Sequence, residues 1–272
     1  MKKYLIIFSI LMVCLSCTKS KSQQKVMTTD FQLTECEALY KNKKLPFGKP
    51  VEEWINIFGN KYRNIPDDAK SYYKRYIWDD LGIVVEEEGH NSNNPRKTTK
   101  MYIFYSNLTS PAGHKGKLKF AYERESETYL ISEYKKNNPS ALTKELEQEF
   151  IQLKSIGGKE GPDKYIYPYT TYKQSVTIDG AEVRGGMLLK ELNKNRKEKD
   201  LQIFTFRDDN MDGVNETGST KGDNGEYWND NRKNDCGNKQ NYYFLNSVQY
   251  SDSELEYIKV GFRMNEDESP YF

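Results

Sequence analysis

The chain has 272 residues, of which 36% are hydrophobic and 30% charged, with 41 Lys+Arg against 40 Asp+Glu and a formal net charge of +1. So even a balance gives no long-range pull on nucleic acid, which excludes a partner held by bulk charge. The 21 Tyr, 12 Phe and 3 Trp supply apolar area for an aromatic core in a body of one or two domains.

The first element is a leader. Lys2 and Lys3 precede an apolar run over residues 4–15, which ends at Ser16-Cys17. The run is too short to span a bilayer as a helix, which takes about 20 residues. A basic start, a short apolar core and a small residue are the build of an export signal that is cut away. Cys14-Leu15-Ser16-Cys17 resembles the lipobox of bacterial lipoproteins processed by signal peptidase II, with Cys14 where Leu is more usual. The resemblance implies a signal peptide over residues 1–16 and lipid attachment at Cys17. It implies membrane anchoring at the bacterial cell envelope, at the outer membrane. An ordinary secretory signal cut elsewhere is the alternative. Residues 17–30 are small and polar, the composition of a flexible tether.

A first unit spans residues 31–136. Residues 39–47 have the pattern of a small hairpin with Asn42-Lys43 at its turn. Val51, Trp54, Ile55 and Phe58 recur at i, i+3, i+4 and i+7, which predicts a short helix stopped by Gly59. Residues 67–76 read as a second short helix and 76–85 as a strand. Residues 86–99 read as a polar loop, with Glu86, Glu87 and Glu88 a solvated strand end. Residues 101–105 form an apolar strand. Leu118, Phe120 and Tyr122 alternate with polar residues, the period of a half-buried strand.

Residues 137–164 form a connector. Leu142, Leu146, Phe150 and Leu153 lie on one face of a predicted helix, ended by Gly157-Gly158 and Gly161-Pro162. A second unit, residues 165–272, echoes the first. Residues 176–183 carry a strand–turn–strand signal with Asp179-Gly180 at the turn. Gly185-Gly186 takes the place of Gly48, and the helix that follows is weaker, with Asn193, Asn195 and Arg196 replacing apolar residues. A strand over 201–206 and a long Asn/Asp/Gly loop over 208–240 precede two last strands, carrying Phe244, Val248 and Tyr250, then Ile258, Val260, Phe262 and Met264. The expectation is an α+β fold of two related units, each a short helical segment packed on an antiparallel sheet.

Residues 48–59 resemble the helix entry of β-lactamase inhibitor proteins and of small outer-membrane assembly lipoproteins. Residues 76–83 look like uncharacterised bacterial domains found near toxin–immunity genes. These resemblances imply a non-enzymatic binding protein, and no catalytic residue carries over from them.

The chain has four cysteines. With Cys14 in the leader and Cys17 as the anchor, Cys36 and Cys236 remain. In an oxidising compartment they either form one disulfide or stay as two separate buried thiols. Asp208, Asn210 and Asp212, with Gly213 and the carbonyl of Val214, fit the first half of a calcium loop. Ser219 stands where the bidentate Glu belongs, so Glu216 or Asp223 must substitute. Asn/Asp/Gly clusters also serve ordinary solvated turns. Calcium is the only cofactor this pattern implies.

Asp79-Asp80 is a candidate carboxylate pair, but neighbours on a strand point to opposite faces. Ser110 and His114 lack a Gly-x-Ser-x-Gly context. The basic run 190–199 reads as a wet helix face. Tyr165, Tyr167, Tyr169 and Tyr172 form a cluster suited either to recognition or to covering the sheet.

The favoured function is a lipid-anchored envelope module that binds a protein partner, as an inhibitor or immunity factor, with no nucleic acid involved. The alternatives are a calcium-dependent envelope or glycan binder and a carboxylate hydrolase.

Overall fold

The computed structural model describes residues 29–64, 73–89, 95–107, 109–114, 117–120, 167–206, 225–229, 236 and 242–264. In chain order these form β1 (Phe31–Leu33), β2 (Ala38–Tyr40), β3 (Lys43–Lys44), α1 (Val51–Phe58), β4 (Arg63–Asn64), β5 (Tyr73–Trp78), β6 (Ile83–Glu88) and β7 (Lys97–Phe104). There follow α2 (Pro111–His114), β8 (Val176–Ile178), β9 (Ala181–Val183), α3 (Leu189–Glu198), β10 (Thr205–Phe206), β11 (Gly225–Trp228), β12 (Tyr242–Ser251) and β13 (Glu254–Met264).

The strands make two sheets. The smaller runs β3-β2-β1-β8-β9 and the larger β10-β11-β12-β13-β7-β6-β5-β4. The β1–β8 pair is parallel, and the pairs of the larger sheet are antiparallel. Both sheets take strands from either side of the segment joining β7 to β8. The fold is α+β and mostly sheet.

One core fills the space between the sheets. Phe31, Leu33, Val176 and Ile178 face Tyr76, Trp78, Ile83, Val85, Met101, Ile103, Ile258 and Val260 across it. Trp54 of α1 and Leu192 of α3 are fully buried in the same core. The other face of the larger sheet is covered too. Ile77, Val84, Tyr102, Phe104 and Tyr257 pack against Ala112, Leu118, Phe120 and Tyr167. Burial on both faces explains the unbroken apolar runs in β6 and β7, since alternation survives only where one face meets water.

Helix α1 and its Gly59 terminus form as the spacing predicts, with Gly59 donating to the carbonyl of Ile55 at 2.8 Å. The Asp179-Gly180 turn between β8 and β9 also forms, both residues having positive φ. Other expectations are corrected. The β2–β3 turn sits at Lys41-Asn42, one residue early, because a two-residue hairpin loop needs two left-handed residues and these two have φ 49° and 64°. Residues 76–85 are a hairpin rather than one strand. β5 turns at residues 79–82, and Gly82 has φ +73°. Residues 73–76 of the second predicted helix belong to β5. Glu86–Glu88 and residues 97–99 are strand rather than loop. Residues 118–120 pack on the sheet without joining it. β11 lies inside the stretch read as one long loop, and only residues 205–206 of the 201–206 segment are strand. The connector helix lies outside the described residues.

Candidate functional site

Two cavities lie where the small sheet meets the outer end of the large one. Here Cys36 and Cys236 are disulfide-bonded with their Cα atoms 5.1 Å apart, across 200 residues of chain. The turn before β2 is ordered by Thr34, whose hydroxyl accepts from the backbone N–H groups of Cys36 at 3.2 Å and Glu37 at 2.9 Å. The turn is tied to β12 twice. Phe244 N–H donates to the Glu35 carbonyl at 2.8 Å, and Asn246 Nδ2 donates to the Thr34 carbonyl at 3.1 Å.

The two cavities flank this tie, with Phe244 in the walls of both. One has a volume of about 440 Å³ and an aromatic bed. Phe47, Phe244, Tyr242 and Phe262 form it, with ring centroids 5.1 Å apart for Phe47–Phe244 and 5.5 Å for Tyr242–Phe262. Met264 extends the bed, and Glu37, Lys44, Lys49 and Glu53 surround it. Phe262 also packs against Gly48, where an added Cβ would lie 2.8 Å from the ring.

The other cavity, about 360 Å³, is polar. One of its walls is Arg196, which is fully buried. Arg196 donates Nη2 to Asp179 Oδ2 at 2.8 Å and Nη1 to the Ile178 carbonyl at 3.0 Å, and its Nε donates to the Gln202 carbonyl. The guanidinium also lies 4.7 Å from the Phe204 ring centroid. Asn229 Nδ2 donates to the same Asp179 oxygen at 3.2 Å. Three amide oxygens in these walls, Gln202 Oε1, Asn229 Oδ1 and Asn246 Oδ1, are buried with no hydrogen-bond donor among the described residues. Buried acceptors of this kind are uncommon in folded proteins and call for an explanation.

The sequence candidates fall elsewhere. Cys17, and the calcium set Asp208, Asn210, Asp212, Val214 and Glu216, lie outside the described residues. Asp79 is held by the Arg63 guanidinium at 2.8 Å and by the backbone N–H of Tyr169 at 2.9 Å, so it latches the segment after the connector. Asp80 is exposed. Ser110 donates to the Asn107 carbonyl at 2.6 Å and accepts from Gly113 N–H, holding the turn of α2.

Glu86 and Glu87 are a correction, being buried rather than solvated. Glu86 faces Arg75 at 3.2 Å, Lys100 at 3.9 Å and the Tyr102 hydroxyl at 3.2 Å. Glu87 accepts from Val51 N–H at 2.9 Å, the first residue of α1, and from the Tyr76 hydroxyl at 3.1 Å. Pro50 offers that helix start no side-chain cap, so Glu87 supplies the acceptor from a neighbouring strand.

Tyr167 and Tyr172 are buried and Tyr169 partly so, and each packs onto a core cluster, as sheet-covering side chains do. The Tyr167 hydroxyl donates to Glu256, a fully buried carboxyl that also accepts from Ser251 and from the N–H groups of Lys119 and Phe120. Burial pushes the Glu256 carboxyl above its ordinary range, and those donors oppose the shift.

Arg196 was legible after all. Leu189, Leu192 and Arg196 stand at i, i+3 and i+7, so the helical period places Arg196 on the buried stripe. Gln202, Asn229 and Asn246 carried no such mark.

A family model matches residues 30–193, more than half of the chain. The chain belongs to that family, the domain of unknown function DUF7738. The DUF7738 match takes in β1 to β9 and the first turn of α3, and it ends before Arg196. It therefore includes Thr34, Cys36 and Asp179 of the site, and the aromatic Phe47. No curated protein and no solved structure matches the chain.

Proposed function

We propose that this protein is a lipid-anchored binding module of the bacterial cell envelope that holds a protein partner through the aromatic cavity beside the Cys36–Cys236 disulfide. Cys17 carries the lipid and the residues after it are the tether. The observation that supports the binding reading is the bed of Phe47, Tyr242, Phe244, Phe262 and Met264. Aromatic and methionine side chains in a partly open depression, surrounded by Lys and Glu, have the composition of the buried centre and polar rim of a protein interface. An inhibitor or immunity factor is the form of activity that such a module takes.

We read the body as two copies of one plan. In its support, a short hairpin and a helix precede β4–β7, and a short hairpin and a helix precede β10–β13. The two sets then run inward in the same order to a shared β7–β13 seam.

The test is capture from native envelope by the full chain, with Phe262→Ser as the comparison. One stoichiometric protein retained by the wild type and lost at least tenfold in the variant supports the reading. Equal capture by both, or none by either, sinks it.

A further inference from the structure

We propose that the polar cavity walled by Asp179, Arg196, Gln202, Asn229 and Asn246 binds a small organic cation bearing a primary ammonium group. The proposal is independent of the protein partner at the aromatic cavity.

The hydrogen-bonding capacity of the walls selects the ligand. The polar walls are rich in acceptors without donors. Asn246 is 8% exposed, its Nδ2 is committed to the Thr34 carbonyl, and its Oδ1 has no donor among the described residues. Asn229 repeats the pattern, with Nδ2 committed to Asp179 and Oδ1 without a donor there. Gln202 Oε1 is a third such oxygen. Asp179 uses only Oδ2 for Arg196 and Asn229, so Oδ1 is left over among the described residues.

The donors, by contrast, are spent. Arg196 has no exposed surface and serves two backbone carbonyls and Asp179. Thr34 donates its hydroxyl to the Glu37 carbonyl. A carboxylate or phosphate ligand would thus meet acceptors and find no free side-chain donor among the described residues. An ammonium brings three N–H donors and no acceptor, which is the complementary inventory.

Charge points the same way. Asp179 and Asp200 line the cavity, and Arg196 is the one cation among its described lining residues. A bare metal ion fits poorly. Among the described residues, the His, Cys, Asp and Glu atoms close enough together to grip one ion are Glu35 with Cys36 and Cys236, and those two sulfurs are bonded to each other. The cavity's acceptors are spread over several walls, so a molecule with separated donors fits them better than an ion does. About 360 Å³ lies within the range of ordinary small-molecule pockets, and Phe244 gives the ligand's carbon body an apolar wall.

Calorimetric titration of the full chain at 150 mM salt tests this. The ammonium probes are glucosamine and spermidine, which separate an amino-sugar source from an aliphatic one. N-acetylglucosamine is the control, having the same sugar without the charge. The expected result is saturable binding of at least one ammonium probe with Kd below about 1 mM. N-acetylglucosamine should bind at least tenfold more weakly. Asp200→Asn lies on an exposed residue and should weaken binding at least threefold without moving the melting temperature. Asn246→Leu should also weaken it. The proposal is overturned by no saturable binding of either ammonium probe, by equal binding of N-acetylglucosamine, or by affinity unchanged in both variants.

Discussion

The guanidinium of Arg196 donates to the carboxylate of Asp179 at 2.8 Å, joining the buried face of α3 to the left-handed turn between β8 and β9. Asp179 sits at φ 53°, a conformation that Asp tolerates better than most residues. The pair makes one corner of the polar cavity and fixes the geometry of its walls. Arg196 thus belongs to the core, while Lys190, Lys194, Lys197 and Lys199 of the same basic run stay exposed as the expected wet face.

Arg196→Met should destabilise the fold by about 3 kcal/mol, because it strands two carbonyls and a partly buried carboxylate. Arg196→Lys keeps the charge but loses the fork geometry, so it should recover less than half of that loss. Urea denaturation of the three proteins measures both numbers.

The disulfide closes a 200-residue loop. In the chain-entropy picture such a bond stabilises by about 2–5 kcal/mol. Replacing Cys36 and Cys236 together by Ser should lower the denaturation midpoint accordingly. Reductant should lower the wild-type midpoint and leave that of the double variant unchanged.

Glu256 predicts a pH dependence. Its folded-state pKa is raised, chiefly by burial, so the folded protein holds this proton more tightly than the unfolded chain does. The group's contribution is therefore greatest below its unfolded pKa of about 4.3 and is lost as pH rises through the folded value. Glu256→Gln removes the titration. The difference in stability, wild type minus variant, should fall as pH is raised from about 4 and become flat above the folded pKa. Denaturation at a series of pH values reads it, and a flat difference throughout would contradict the prediction.

Gly82→Ala should prise residues 170–172 from the β5–β6 turn. Gly82 has φ +73°, and an added Cβ would lie 2.3 Å from the backbone nitrogen of Tyr172. The left-handed backbone alone costs about 1–2 kcal/mol for Ala, and the clash adds to it. Hydrogen exchange should show lost protection at Tyr172 N–H, which now donates to the Phe104 carbonyl at 2.7 Å.

What the sequence alone determined is local. The 3.6-residue period of Val51, Trp54, Ile55 and Phe58 specified α1, and Gly59 specified its end. Asp179-Gly180 specified a tight turn, and the alternation of Ile258, Val260, Phe262 and Met264 specified a strand. These signals hold because each rests on contacts within a few residues.

The tertiary structure decided the rest. The hairpin of β5 and β6 was hidden because both faces of the larger sheet are covered, which erases the polar alternation that marks a strand's ends. Glu86 and Glu87 look like a solvated run until Arg75, Lys100, Tyr76 and the start of α1 arrive from other elements to satisfy them. The polar cavity is the extreme case. Asp179, Gln202, Asn229 and Asn246 come from separate stretches of chain, each resembling an ordinary turn or surface residue, and the helical period that buries Arg196 says nothing of what it meets. Only the docking of the small sheet against β12 brings them together, and no spacing along the chain encodes that distance.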